Sequence, residues 1–462
     1  LALLELAREQ ILKEIYRDIM FDIDKLQSKL KSADFYRIFS EATETEQFVV
    51  QDGKVEHIDS SSHIGASVFY VKNRFAYFYS TNSQEKIDNF EMAATSKLPQ
   101  NINYELTESG IKDSKSIGTE NNLDLETISK EFARATKVSG KIVTNTGRYI
   151  YSKNNRIVIC PNTEITQTRI LGRGTFNAVA KKEDKIRTDF IRLGITSALN
   201  KRIYALLDDN ENMRNNLQEK LSYKEGLKGK YDIIINPDLS DLLAHEAIGH
   251  ATESDAVYTG FSVLSSRLGE TLGPEFMTLY DDPVPRDNLF GSFYYDDEGF
   301  PAQNKILIKN GVLNDYILSS KYSKLLQMKN NGGSRCMSYS YLPVPRMSNT
   351  SFKAGEQKIK DIIRDTKKGV LLSGGRGGQV DPNSGVFQFG VKEGHLIKNG
   401  ELTENFVNLT FSGNILESLS KVVCISKDIE MNQPGFCGKY GQQVPVGGFG
   451  PYMKLKNIGV GQ

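Results

Sequence analysis

Apolar residues recur every three or four positions at the start of the chain. Leu4, Ile11, Ile15 and Ile19 fall on one face of a helix over about 3–32. The pattern then changes to runs rich in Val, Phe, Tyr and Thr, YRIFSEATETEQFVV and later ASVFYVKNRFAYFYST. Asp52-Gly53 and Lys72-Asn73-Arg74 punctuate them, which predicts an antiparallel meander. Residues 84–97 read as a short helix, and the polar stretch 106–122 as an exposed loop. LDLETISKEFARATKV (123–138) is amphipathic and helical, and two or three strands follow between 140 and 182. A long helical pattern over about 187–224 places Leu193, Ile195, Leu199 and Ile203 on its apolar face.

At about residue 225 the pattern shifts to short β-type runs separated by Gly, Asn and Pro: ILIKNGVLNDYIL, GVLLSGG, GVFQFGV and KVVCISKD. The predicted class is α+β, with a helix-plus-sheet domain at 1–225 and a mostly-β domain at 226–462. No short-period repeat is visible.

Composition narrows the function classes. Of 462 residues, 39% are hydrophobic and 25% charged, which suits a packed soluble core. Lys plus Arg (58) nearly cancels Asp plus Glu (57), so overall charge points to neither nucleic acid nor an anionic membrane as partner. No apolar run reaches the about 18 residues of a membrane span. Glu5, Arg8 and Glu9 interrupt any signal-peptide core in a sequence that begins at Leu1. Only four cysteines are present, far sparser than a secreted disulfide framework, and a cytoplasmic setting is expected.

The candidate chemistry lies in YDIIINPDLSDLLAHEAIGHATESD (231–255). Asp232–Asn236 reads as a short buried strand, Pro237-Asp238 as a turn, and Ser240 or Asp238 as the cap of a helix carrying His245, Glu246 and His250. Neutral imidazoles suit Zn²⁺, and a carboxylate beside the first of them can take the proton of a water on the metal. The spacing is HExxxH, not HExxH. At about 100° per residue, positions five apart diverge by roughly 140° on an α-helix. Bringing the two histidines together therefore requires a π-type bulge or a helix end near Gly249. A catalytic zinc wants a third protein ligand, for which Glu253, Asp255 and the cysteines are candidates. Cys160 and Cys424 lie in apolar strand-like runs and read as core, whereas Cys336 remains eligible. Cys437, in QPGFCGKYGQQVPVGGFG, reads as a thiol on an exposed glycine-shaped loop and is the favoured candidate.

Longer segments carry a resemblance: LLAHEAIGHATESD (242–255), SSRLGE (265–270), YDDPVPRDNLFGSFYYDDEGFPAQNKILIKNGVL (280–313), PVPRMSNT (343–350), GGQVDPNSGVFQFGV (377–391) and CGKYGQQVPVG (437–447). The chain resembles the TldD/PmbA metalloproteases, once named as modulators of DNA gyrase. The resemblance implies a zinc peptidase with one Zn²⁺ per chain on His245, His250 and Cys437, and with Glu246 as general base. It implies unfolded or small peptides as substrates, bound extended along a strand edge in a cavity enclosed by a dimer. The partner would be a second copy or a TldE/PmbA-like sister subunit, the branch that lacks the motif. Arg335-Cys336-Met337 and Ala251 depart from the family pattern without touching the metal set.

Other signals favour structural roles. Ser373–Gln379 (SGGRGGQ) fits a turn or substrate-approach loop better than a phosphate cradle. DDP (281–283) and DDEG (296–299) fit turn and cap chemistry, and Arg346 fits a buried structural partner. His57, His63 and His395 carry no assigned function. The competing reading is a non-catalytic scaffold or regulatory subunit with a structural or vestigial zinc. Retention of His245, Glu246, His250 and Cys437 together favours the enzyme, because a scaffold has no use for the base.

Overall fold

The computed structural model describes residues 21–90, 96–97, 110–120, 123–199, 202–431 and 434–461. Residues 3–20 of the expected opening helix lie outside the described residues; a helix begins anew at Ile23 (Ile23–Lys29), N-capped by non-helical Asp22, so one continuous helix over 3–32 is not observed. The expected meander is present as strands Phe35–Gln51, Lys54–Lys72 and Phe75–Thr81. Their two turns place Asp52, Gly53, Asn73 and Arg74 at positive φ, as tight hairpins of this hand require. Strands Ile142–Cys160 and Thr163–Lys182 extend this into an eight-stranded sheet. Helices Leu125–Ala135 and Arg202–Glu219 pack on one face, burying Phe48, Tyr149, Phe176, Leu206 and Leu217.

Three expectations fail in this sheet: of the short helix expected over 84–97 only Gln84–Asp88 is helical among the described residues, and Ser96–Lys97 is a strand paired with Phe75–Ala76. Lys185–Ile195 is a strand paired with Thr163–Lys182, not the start of a helix; the helix begins only at Arg202. Inward-facing Arg187 and Asp189 are buried while Ile186 is exposed, so the usual alternation is inverted and the strand was hidden. Asp189 is satisfied by Lys220 and Lys392, each at 2.7 Å. Likewise Lys112–Ile117, expected as loop, pairs parallel to Glu164–Arg169.

The C-terminal region is β-rich, and the observed class is α+β as expected. Five strands, Gly229–Ile235, Lys368–Val380, Val386–Lys398, Glu401–Asn414 and Phe449–Gly461, close into a barrel when Thr410–Ser412 pairs with Gly459–Gly461. Val422–Met431 adds to the last of them. The run Ile233-Ile234-Ile235 is apolar throughout because both faces of its strand are buried: Ile233 and Ile235 join the main core, and Ile234 packs with Ile362 and Leu371 on the other side. Among the described residues no helix is long and apolar enough to cross a membrane.

Candidate metal centre

The first barrel strand delivers the histidines. Asn236 ends it and caps the helix Pro237–Leu242, its side chain accepting from the Leu239 N–H; neither Ser240 nor Asp238 is the cap. Pro237 fits the first helical position, where an N–H would be idle. The helix then widens into a π-turn over Leu243–Gly249, in which the His250 N–H donates to the His245 carbonyl. This i→i+5 closure brings residues five apart to one side, the distortion that HExxxH demands. The two imidazole rings stand 5.1 Å apart, edge to face. Gly249 has a steric reason of its own: a Cβ there would lie 1.7 Å from the sulfur of fully buried Met347.

Cys437 arrives from a different element. Sequence reasoning placed it on an exposed loop; it sits on strand Gly435–Lys439, paired with Gln442–Val446, and is only 3% exposed. The hairpin turns at Tyr440-Gly441, both at positive φ, and its glycines had concealed the strand periodicity. The Cys437 Sγ lies 3.4 Å from His250 Nε2, and one donor atom from each of His245, His250 and Cys437 falls within 4.8 Å of the others. Tetrahedral zinc with bonds of about 2.0–2.3 Å sets its donors about 3.5 Å apart, so this donor set fits the ion. Among the described residues the cluster has no fourth His, Cys, Asp or Glu.

Burial opposes charge on all three side chains, yet their mutual contacts prevail. The Cys437 thiol is pushed up by burial but pulled further down by His245 and His250, and ends well below its ordinary value. His250 is pushed down by burial and raised well above its ordinary value by Glu253 and Cys437. The site thus favours a thiolate, the form that binds metal.

Glu253 is not in the metal cluster. It accepts from His250 Nδ1 at 3.0 Å and orients that ring. Burial raises the Glu253 carboxyl, but Lys439 and His250 outweigh it and hold it at about 2. Lys439 donates to Glu253 at 2.9 Å and to Asp255 at 2.7 Å. Sequence reasoning missed Lys439, although its spacing two residues after Cys437 puts both on one side of a strand. Fully buried Arg346 donates to the Cys437 carbonyl and lies 4.0 Å from Glu253, a structural partner as expected.

Glu246 has its carboxylate 4.0 Å from His250 Nε2 and opens on a cleft of about 330 Å3. Arg192, Phe436 and Gly375–Gly377 line the same cleft. The last segment is the middle of SGGRGGQ, where the pairing register slips between Gly375 and Gly378. The other cysteines are elsewhere: Cys160 and Cys336 are buried in a separate core, and Cys424 donates to Gln357.

A profile described as the PmbA/TldA metallopeptidase C-terminal domain matches residues 228–462, and one for domain 1 of the same proteins matches 36–96. A metalloprotease of Methanocaldococcus jannaschii is 32% identical over 93% of this chain and 97% of its own length. The chain belongs to the PmbA/TldD family. A zinc metalloprotease TldD homolog of Saccharolobus solfataricus is 33% identical over 56% of this chain and 58% of its own. A TldD homolog of Buchnera aphidicola is 40% identical over 52% of this chain and 50% of its own. TldE of Thermococcus kodakarensis shares the fold, with a TM-score of 0.72 at 16% identity over 95% of this chain and 99% of its own. So does a proposed DNA gyrase modulator of Thermotoga maritima, at 0.74 and 19% over 95% and 98%. The family is one of metallopeptidases, and the naming of its members supports a metal cofactor.

Proposed function

We propose that this chain is a zinc-dependent peptidase in which His245, His250 and Cys437 hold one zinc ion and Glu246 is the general base. The observation that carries this reading is the convergence of one thiol and two imidazoles within 4.8 Å beside a glutamate that opens on a cleft. Zinc, when bound, would acidify a water and polarise the scissile carbonyl. Glu246, on the cleft side of the cluster, accepts the proton and passes it to the leaving amine. Glu253 and Lys439 keep the His250 ring in its ligating orientation. A structural zinc would want a fourth protein ligand. The absence of one among the described residues favours an open position for water.

The substrate class is an unfolded or small peptide bound in extended form. The register slip leaves Arg376 and Gly377 without ladder partners on the neighbouring strand while they line the cleft. That gives an extended peptide a backbone to pair with. We place residues 1–225 and 226–462 in two domains, with the active sites enclosed when the chain pairs with itself or with a TldE-like sister; the fold likeness to TldE supports such an assembly. A reducing, cytoplasmic setting suits the four free cysteines. The test is hydrolysis of an unstructured peptide mixture by zinc-loaded protein. Glu246→Gln should retain zinc and lose at least about 100-fold in kcat. Undiminished cleavage by that variant would remove Glu246 from the mechanism.

A further inference from the structure

The face of the eight-stranded sheet opposite its helices is turned toward the C-terminal region and carries a second cavity, of about 480 Å3. Strand alternation builds it. Register pairs His63 with Thr43, Thr43 with Asn154, and Asn154 with Arg169, one row across four strands. All four residues line the cavity, as does Arg156. The two arginines differ sharply. Arg156 bonds Glu41 and Asp297 and the carbonyls of Cys336 and Met337. Arg169 is 93% buried by its 7% exposure, and its Nε has no hydrogen-bond partner among the described residues. Burial, then repulsion from Arg156, lowers it to about 10. A buried guanidinium edge without an acceptor is costly and asks for an explanation. The Asn154 Oδ1 is also buried and has no hydrogen-bond partner among the described residues, while its Nδ2 donates to Glu41 and Thr43.

This cavity adjoins the metal cleft. Phe436, one residue before Cys437, lines both, and the Arg173 guanidinium lies over its ring at 5.2 Å. Arg173 sits four residues from Arg169 on the same strand, hence on the same face, and its Nε too has no partner among the described residues. Arg192 continues the cationic band into the cleft. We propose that the cavity is a carboxylate-binding subsite of the peptide site, in which Arg169 takes a carboxylate of the bound peptide. That group is either the terminal α-carboxylate or an acidic side chain. The proposal rests on the peptidase reading. A guanidinium held planar in a poorly hydrated wall pairs strongly with a carboxylate and would set which peptides, or which end of them, are held.

The test uses three peptides: one with a free C-terminus and no acidic side chain, its C-terminal amide, and that amide with glutamates in place of its glutamines. Affinity is measured by calorimetry on zinc-loaded Glu246→Gln protein, with and without Arg169→Met or Arg169→Lys. The first or the third should bind about tenfold or more tighter than the plain amide, and which one does so identifies the source of the carboxylate. Arg169→Met should erase that advantage without changing affinity for the amide, and Arg169→Lys should restore part of it. Arg169→Met should also raise the melting temperature of the peptide-free protein, because it removes an unpaired buried charge. Equal affinity for all three peptides, equal weakening of all three by Arg169→Met, or a lowered melting temperature would overturn the proposal. Cleavage of all three by wild type with equal affinities would sink the subsite alone. A preserved affinity difference without any cleavage would sink the peptidase reading alone.

Discussion

Against the eight-stranded sheet, Phe132 of helix Leu125–Ala135 meets Phe48 edge-on at 5.0 Å and stacks on Phe176 at 4.7 Å, and two further clusters of apolar side chains share the burial. Around the cluster of His245, His250 and Cys437, charged groups are buried beside the main apolar core: Lys439 between Glu253 and Asp255, and Arg346 on the Cys437 carbonyl. Apolar packing spreads its energy over many contacts, so the sheet should lose stability without losing its pattern when one is removed. A site held by a few polar bonds and one glycine should lose its geometry before its stability. The difference teaches where the candidate site is placed in this chain: on a π-turn and a short hairpin that the barrel positions but does not regularise.

That contrast can be broken by substitution. Phe176→Ala should cost about 3–5 kcal/mol in chemical unfolding while leaving zinc affinity of the folded protein unchanged. Gly249→Ala should cost less, about 1–3 kcal/mol, yet abolish zinc binding, because the new methyl collides with Met347 and reopens the π-turn. Adding Met347→Ala should recover part of the zinc content. If Phe176→Ala loses zinc and Gly249→Ala keeps it, the comparison is wrong. Lys439→Met, which removes one cation from Glu253 behind His250, should weaken zinc by about 10–100-fold in a competition titration.

The smallest effect concerns the Asp189 carboxylate, which mixes the two modes of burial. Burial raises this carboxyl, but Lys392 and Lys220 outweigh it and leave it below its ordinary value. A depressed acid stabilises the fold above its unfolded pKa of about 3.9 and loses that contribution as pH falls through its lower folded value. Urea midpoints measured from about pH 6 down to pH 3 should therefore decline, and Asp189→Asn should flatten that decline.

Much of this was legible in the chain because the strands alternate and the candidate metal residues are chemically distinctive. HExxxH could be read as a helix needing a bulge, since the angle between positions five apart follows from helix geometry alone. Cys437 was singled out for its chemistry but given the wrong structure: glycines on both sides hid a buried strand. The strand Lys185–Ile195 was misread because tertiary ion pairs with Lys220 and Lys392 let a charged side chain face inward. Lys439 acquires its role only from a contact with Glu253 across 186 residues of chain, which no local pattern announces, whereas Glu253 meets His250 just three residues away.

The most direct test of the account is zinc X-ray absorption on the wild-type protein, with the Cys437→Ser variant beside it. The account predicts one sulfur at about 2.3 Å, two imidazole nitrogens at about 2.0–2.1 Å and one further light atom. The sulfur shell should vanish in Cys437→Ser. A shell with no sulfur, or with two or more, would contradict the assignment of His245, His250 and Cys437 as the metal site.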